Sequence, residues 1–222
     1  THWGPLVWER NSAEGLYAAF WRCGRTRTTQ ADCCGISDSW PPSCRDGGGF
    51  GALAELRSSG EIGAIGAGMN FTGLIPRFLE YCDIDYFLMA MPYTLIDQPA
   101  LDEDLPLCEA RGVGIVIGAV FSSGILATGP TDNALYAYQP AEDAIMTKAR
   151  GIAAVCARHG VPLPAAALQF PLHHPAVATV IPGANSPAQV EANVAAMAHD
   201  IPLALWAELK SEGLIREDAP TP

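Results

Sequence analysis

A chain of 222 residues is long enough for one well-buried core, and a 49% hydrophobic share with only 17% charged residues describes a compact globular protein rather than a disordered one. Its formal net charge of −11 disfavours nucleic acid and anionic membrane as partners, because their phosphates would be repelled, and leaves a small sugar or aldehyde substrate open. The longest apolar run, Gly112 to Phe121, is too short to span a bilayer, and no secretory leader pattern opens the chain, so a cytoplasmic location is expected.

In chain order, residues 1–49 read as an irregular remnant: Leu6, Val7 and Trp8 suggest a strand, and Leu16, Tyr17 and Phe20 a helix. Between Trp21 and Ser37 stand three arginines, three cysteines, one isoleucine and no Leu, Val or Phe, which cannot supply a buried strand. Residues 21–37 are therefore either a surface loop or sequence foreign to the native chain. Of the seven cysteines, Cys23, Cys33, Cys34 and Cys44 crowd this region, with no repeated C-x-x-C to suggest a metal. Cys82, Cys108 and Cys156 fall inside apolar helical patterns, where a free thiol acts as a small hydrophobe, and a reducing compartment is expected.

From Phe50 onward, helical and strand patterns alternate. Phe50, Leu53 and Ala54 open a short helix to Gly60, and Ile62 to Gly68 reads as a strand. Leu74, Ile75, Phe78, Leu79 and Cys82 form a helical stripe ended by Asp83, followed by a buried strand from Tyr86 to Met91. Leu101, Leu105 and Cys108 mark a helix stopping at Gly112, and Val113 to Val120 is the next strand. The acidic run Asp102-Glu103-Asp104 sits at that helix start and is read as a solvated face. Ile145 to Cys156 is a longer helix closed by His159-Gly160, and a second helical piece spans Pro164 to Leu172. His173-His174 reads as a surface turn rather than a metal site. Val177 to Ile181 is the last strand, Pro187 to Ala198 the helix after it with Pro187 at N1, and Ala204 to Gly213 a short final helix. Strands apolar on both faces and separated by helices imply parallel β/α units. The four counted here are half of an eight-unit barrel, with a doubly wound open sheet as the competing architecture.

Three strand-end loops carry candidate chemistry. In Val180 to Asn193 a strand meets a glycine turn and a helix with Ser186 at the N-cap, which is either an anion site built from free amides or an ordinary capped helix. The turn Phe121-Ser122-Ser123-Gly124, leading to Leu126, offers hydroxyls and unhindered backbone, and two such turns on successive strands favour a dinucleotide diphosphate. Gly66-Ala67-Gly68-Met69-Asn70-Phe71 imitates G-x-G-x-x-G but lacks the third glycine, and Asp85 would begin the next strand rather than end it, so a Rossmann site is rejected. Asn70 is either placed to bond a planar amide or a plain turn residue. Tyr93 follows a strand with no lysine beside it and is not assigned to catalysis.

AELRSSGEIGAIGAGMN, YTLIDQ, FSSGILATG and HGVPLPAAALQFPLHHPAVATVIPGANSPAQVEAN, in that order, resemble the second half of aldo-keto reductases, within the branch of L-fucose, galactose and D-threo-aldose 1-dehydrogenases and pyridoxal 4-dehydrogenase. The likeness covers roughly residues 38–222 and, more loosely, 4–20. It implies an α/β fold that is the C-terminal half to two-thirds of a (β/α)8 barrel, binding NAD(P) and moving hydride between nicotinamide and an aldose C1. By that likeness Asn70 holds the nicotinamide carboxamide, and Phe121, Ser122, Ser123, Gly124 and Leu126 run along the pyrophosphate. Gly183, Ala184, Asn185 and Ser186 form the adenosine-phosphate loop, and Gln189 and Asn193 flank the adenine. Ala90 stands where many members carry a glutamine under the nicotinamide. No Arg or Lys occurs between Arg158 and Lys210 to meet a 2′-phosphate, so NAD is expected over NADP. The family's Asp, Tyr and Lys positions fall before residue 1, and Gly35-Ile36-Ser37 occupies the place of its histidine. The chain is thus expected to be an N-terminally truncated, inactive fragment without catalytic residues. Half a barrel also leaves two open strand edges, which favours self-association; a nucleotide-binding half-barrel that pairs with another chain is the alternative.

Overall fold

The computed structural model describes residues 49–222. The expectations for residues 1–48, among them the stretch 21–37, four of the cysteines and the Gly35-Ile36-Ser37 position, lie outside the described residues.

Helix α1 (Gly49–Ser58) leads to strand β1 (Gly66–Met69), helix α2 (Ile75–Tyr81) and strand β2 (Tyr86–Ala90). A 3-10 turn at Pro99–Leu101 precedes α3 (Asp104–Arg111), which ends on Gly112 in the left-handed region (φ 67°), and β3 (Gly114–Gly118) follows. After β3 come a 3-10 turn (Ser122–Gly124), the short helix α4 (Ile125–Thr128) and a small hairpin of β4 (Leu135–Tyr136) and β5 (Gln139–Pro140). Helices α5 (Asp143–Arg158) and α6 (Leu163–Gln169), strand β6 (Val177–Ile181), α7 (Pro187–Met197) and α8 (Leu203–Ser211) complete the order.

The main sheet runs β1-β2-β3-β6, every neighbouring pair parallel, with registers Gly66↔Tyr86, Tyr86↔Gly114 and Ile117↔Val180. Sheet order equals chain order, so no reversal of winding occurs among the described residues. A doubly wound sheet needs such a reversal, which makes this an arc of a (β/α)8 barrel. Side chains alternate along each strand. Ala67, Met69, Phe87, Met89, Ile115 and Ile117 join the helices in the main apolar core. The opposite face carries Gly66, Gly68, Ala90, Gly114 and Gly118, and at its start the Tyr86 ring lies over the Gly66 backbone. A Cβ at position 66 would stand 2.3 Å from Tyr86 Cζ, so this approach needs glycine.

Several expectations change. Strand β1 begins at Gly66 rather than Ile62, and at its entry the Ile65 N–H donates to the Asp85 carboxylate (2.6 Å) while Ile65 O accepts from the Asp85 N–H (2.8 Å). Strand β6 is not buried on both faces: Ala178, Thr179 and Ile181 are exposed, and β6 is the outer strand among the described residues. Asp104 is not on a solvated face but buried, accepting from the Gly73 N–H (3.1 Å) and so tying the turn before α2 to α3. Its neighbour Asp102 pairs with Arg216. His174 is likewise no surface residue; it is 4% exposed, its Nδ1 accepts from the Ala176 N–H (3.1 Å), and it packs edge-on against Tyr93. Cys108 and Cys156 are free and buried, and burial pushes their thiols up to about 12 and about 11. Among the described residues no single helix is long and apolar enough to cross a membrane, and no His, Cys, Asp and Glu cluster suits a metal.

Candidate functional site

The C-terminal end of the sheet is where the backbone is least relaxed. Among the described residues six non-glycine positions adopt positive φ: Met91 (83°) just past β2, Ala119 (53°) just past β3, Ser122 (47°) and Ser123 (61°) in the next turn, and Ala137 (48°) and Tyr138 (63°) in the hairpin turn. Such conformations cost on the order of 1–3 kcal/mol each and gather where function maintains them. The turn after β3 is fixed by the Ser122 N–H donating to Ala119 O (2.7 Å) and the Leu126 N–H to Phe121 O (3.1 Å).

The second turn joins β6 to α7. Ser186 is extended (φ −149°) and caps the helix, its Oγ accepting from the Gln189 N–H (3.3 Å), while Gln189 Oε1 accepts from the Asn185 N–H (2.8 Å). Those two amides are therefore occupied. The N–H groups of Gly183, Ala184 and Ala188 make no hydrogen bond among the described residues, and the turn is exposed rather than packed against another element.

Between the two turns lies a cleft of ≈ 1060 Å³. Eight of the residues singled out from the sequence line it: Phe121, Ser123 and Gly124 on one wall, and Gly183, Ala184, Asn185, Gln189 and Asn193 on the other. Four do not. The Ser122 hydroxyl is buried and donates to Thr94 Oγ1 (3.2 Å), which leaves this residue only its backbone to offer. Leu126 is buried in the core, and Ser186 is spent on the cap. Asn70 is exposed directly after β1, on the same edge of the sheet as the cleft but two strands away.

Sequence reasoning missed the hairpin that borders this cleft. Its strands have two residues each, too short for any alternation to register, and its turn residues, Ala137 and Tyr138, are not turn formers. The Tyr138 N–H donates to Ser123 Oγ (3.1 Å), which couples the hairpin to the turn after β3. Beside the turn, Tyr136 OH donates to Asp97, whose carboxyl is pushed up by burial although Lys148 opposes this; burial holds Lys148 down in turn. The cleft is lined by no Arg or Lys; His199 is its one basic side chain among the described residues. Tyr93 is buried, its hydroxyl has no hydrogen-bond partner among the described residues, and burial pushes its phenol far above the ordinary value.

Comparison with known proteins gives consistent results. A family model described as the Aldo/keto reductase family matches residues 25–213. The chain is 43% identical over 169 residues to pyridoxal 4-dehydrogenase of Microbacterium luteolum, covering 76% of this chain and 49% of that protein. It is 41% identical over 174 residues to D-threo-aldose 1-dehydrogenase of a Pseudomonas species, covering 78% and 52%. Among solved structures, the holo form of an aldo-keto reductase from Bacillus halodurans superposes with a TM-score of 0.58 at 27% identity, over 75% of this chain and 55% of that one. The chain thus spans about half the length of the curated relatives it matches.

Proposed function

Because this chain belongs to the aldo/keto reductase family, an oxidoreductase family, we propose that its cleft holds a nicotinamide dinucleotide for hydride exchange with an aldose C1 or a related aldehyde, a reaction these 222 residues by themselves do not complete. The observation that carries this is the pair of turns facing one another across the cleft, with the amides of its lining residues Gly183 and Ala184 uncommitted just before a helix start. Amides and a helix dipole aimed into a concave site favour an anion. A volume of ≈ 1060 Å³ lies at the upper end of small-molecule pockets, as an extended dinucleotide requires.

The Ser123 N–H, which makes no hydrogen bond among the described residues, would hold the diphosphate on one side, the Gly124 N–H being committed to Phe121 O (2.9 Å), and Gly183 and Ala184 would hold it on the other, with Gln189 and Asn193 beside the adenine. Asn70 lies two strand spacings from β3, about 10 Å, which suits a contact to the distant carboxamide. When bound, the nicotinamide supplies the hydride transfer itself. The described residues bind and orient; we assign none of them to proton transfer, and we propose that this chain binds the dinucleotide without turning over aldose. The cysteines suit a reducing, cytoplasmic setting.

We further propose NAD over NADP, since no Arg or Lys lines the cleft to pair with a 2′-phosphate. Calorimetric titration of the purified chain should give saturable 1:1 binding, with NAD at least about 10-fold tighter than NADP. Tighter binding of NADP would contradict the preference.

A second proposal rests on the exposed outer strand β6 and the exposed apolar side chains Ile181, Val190, Val194 and Met197: a nucleotide-binding half-barrel that associates through this face.

A further inference from the structure

Tyr138 is the most exposed of the large apolar side chains described, at 80%, yet it occupies a costly place in the fold. It and Ala137 form the two-residue turn between β4 and β5, both at positive φ (63° and 48°). A turn of this kind suits Asn-Gly, because glycine takes the left-handed region without a Cβ penalty. Among the described residues nothing packs over the ring to compensate its exposure. The hairpin is nevertheless held from two sides: the Tyr138 N–H donates to Ser123 Oγ (3.1 Å), and Tyr136 OH, beside the turn, is bonded to Asp97. The ring therefore sits on an anchored support rather than on a loose loop tip, and it lines the cleft on the side of Ser123 and Gly124.

We infer that Tyr138 is a ligand-binding residue, its ring covering the dinucleotide where it passes the turn after β3. The inference rests on the dinucleotide reading of the cleft and adds to it a contact outside the strand-end turns. The backbone that carries the ring is already fixed by its bond to Ser123, so little backbone entropy remains to be lost on binding. The contribution is one of ring area against the ligand rather than of the phenolic hydroxyl.

Tyr138→Phe, Tyr138→Ala and Tyr138→Gly separate these contributions in calorimetric titrations with NAD, paired with thermal melts of each free protein. The phenylalanine variant should bind within about 3-fold of wild type, and the alanine and glycine variants about 10-fold more weakly. The glycine variant should nonetheless melt at or above the wild-type temperature, because the turn is relieved. Affinity and stability then move in opposite directions, which a residue that merely maintains the hairpin would not show. Equal NAD affinity in wild type and the alanine variant overturns the role of Tyr138 while leaving the cleft reading intact. A large loss in the phenylalanine variant overturns the ring-area account. No saturable binding by wild type itself overturns the cleft reading and this inference with it.

Discussion

His174 makes a contact that only its neutral ring can make. Its Nδ1 accepts from the Ala176 N–H, so the ring proton sits on Nε2, and a second proton would break that bond inside a buried site. Burial holds both His173 and His174 below the ordinary histidine value. A folded-state value lowered in this way means that the unfolded chain takes up protons first. The stability these residues contribute is present above about pH 6.5, the unperturbed value, and lost as pH falls through the folded-state value. The melting temperature should therefore drop on acidification from about pH 7.5 to about pH 5.5. His174→Gln, whose amide oxygen can still accept from Ala176, should flatten that drop; a variant profile parallel to wild type would contradict the assignment. Residue identity alone did not reveal this, since His173-His174-Pro175 has the look of a surface turn. What buries His174 is the aromatic packing of Tyr93 and Phe170, which joins segments some eighty residues apart in sequence.

Elements were legible where the period was long or a cap was present. Helix α7 begins at Pro187 behind an N-cap Ser186, as the motif Asn-Ser-Pro-Ala-Gln indicates, and α3 stops at Gly112 as its left-handed cap requires. Strand β6 matches its apolar run residue for residue, but its exposure could not be read from Val-Ala-Thr-Val-Ile, because burial is decided by what pairs with the strand. The hairpin was illegible for a related reason, being held by Ser123 and Asp97 from outside its own sequence. The two turns of the site were legible, yet not the burial of the Ser122 hydroxyl against Thr94. At this scale Ser186→Ala should cost about 1 kcal/mol, read as a lower urea midpoint, by removing the acceptor for the Gln189 N–H. An unchanged midpoint would show that the cap contributes nothing.

For the whole molecule, four parallel strands in chain order leave β1 and β6 without outer neighbours among the described residues. Val190, Val194 and Met197 recur at i, i+4 and i+7, so they form one exposed stripe along α7, with Ile181 exposed on the adjoining strand. Unpaired edges and a contiguous apolar stripe favour association. In sedimentation velocity the chain should show concentration-dependent association that Val194→Glu weakens. A wild-type chain that sediments as a monomer at every concentration would remove the half-barrel pairing proposal.

The central claim is that the turns after β3 and β6 present backbone amides to one bound diphosphate. Amide chemical shifts of the isotopically labelled chain, followed during addition of NAD, test it residue by residue. The largest changes should fall on Ser123, Gly183 and Ala184, saturating together with a single dissociation constant. Saturation with shifts confined to other parts of the sheet, or changes in one turn without the other, would contradict it.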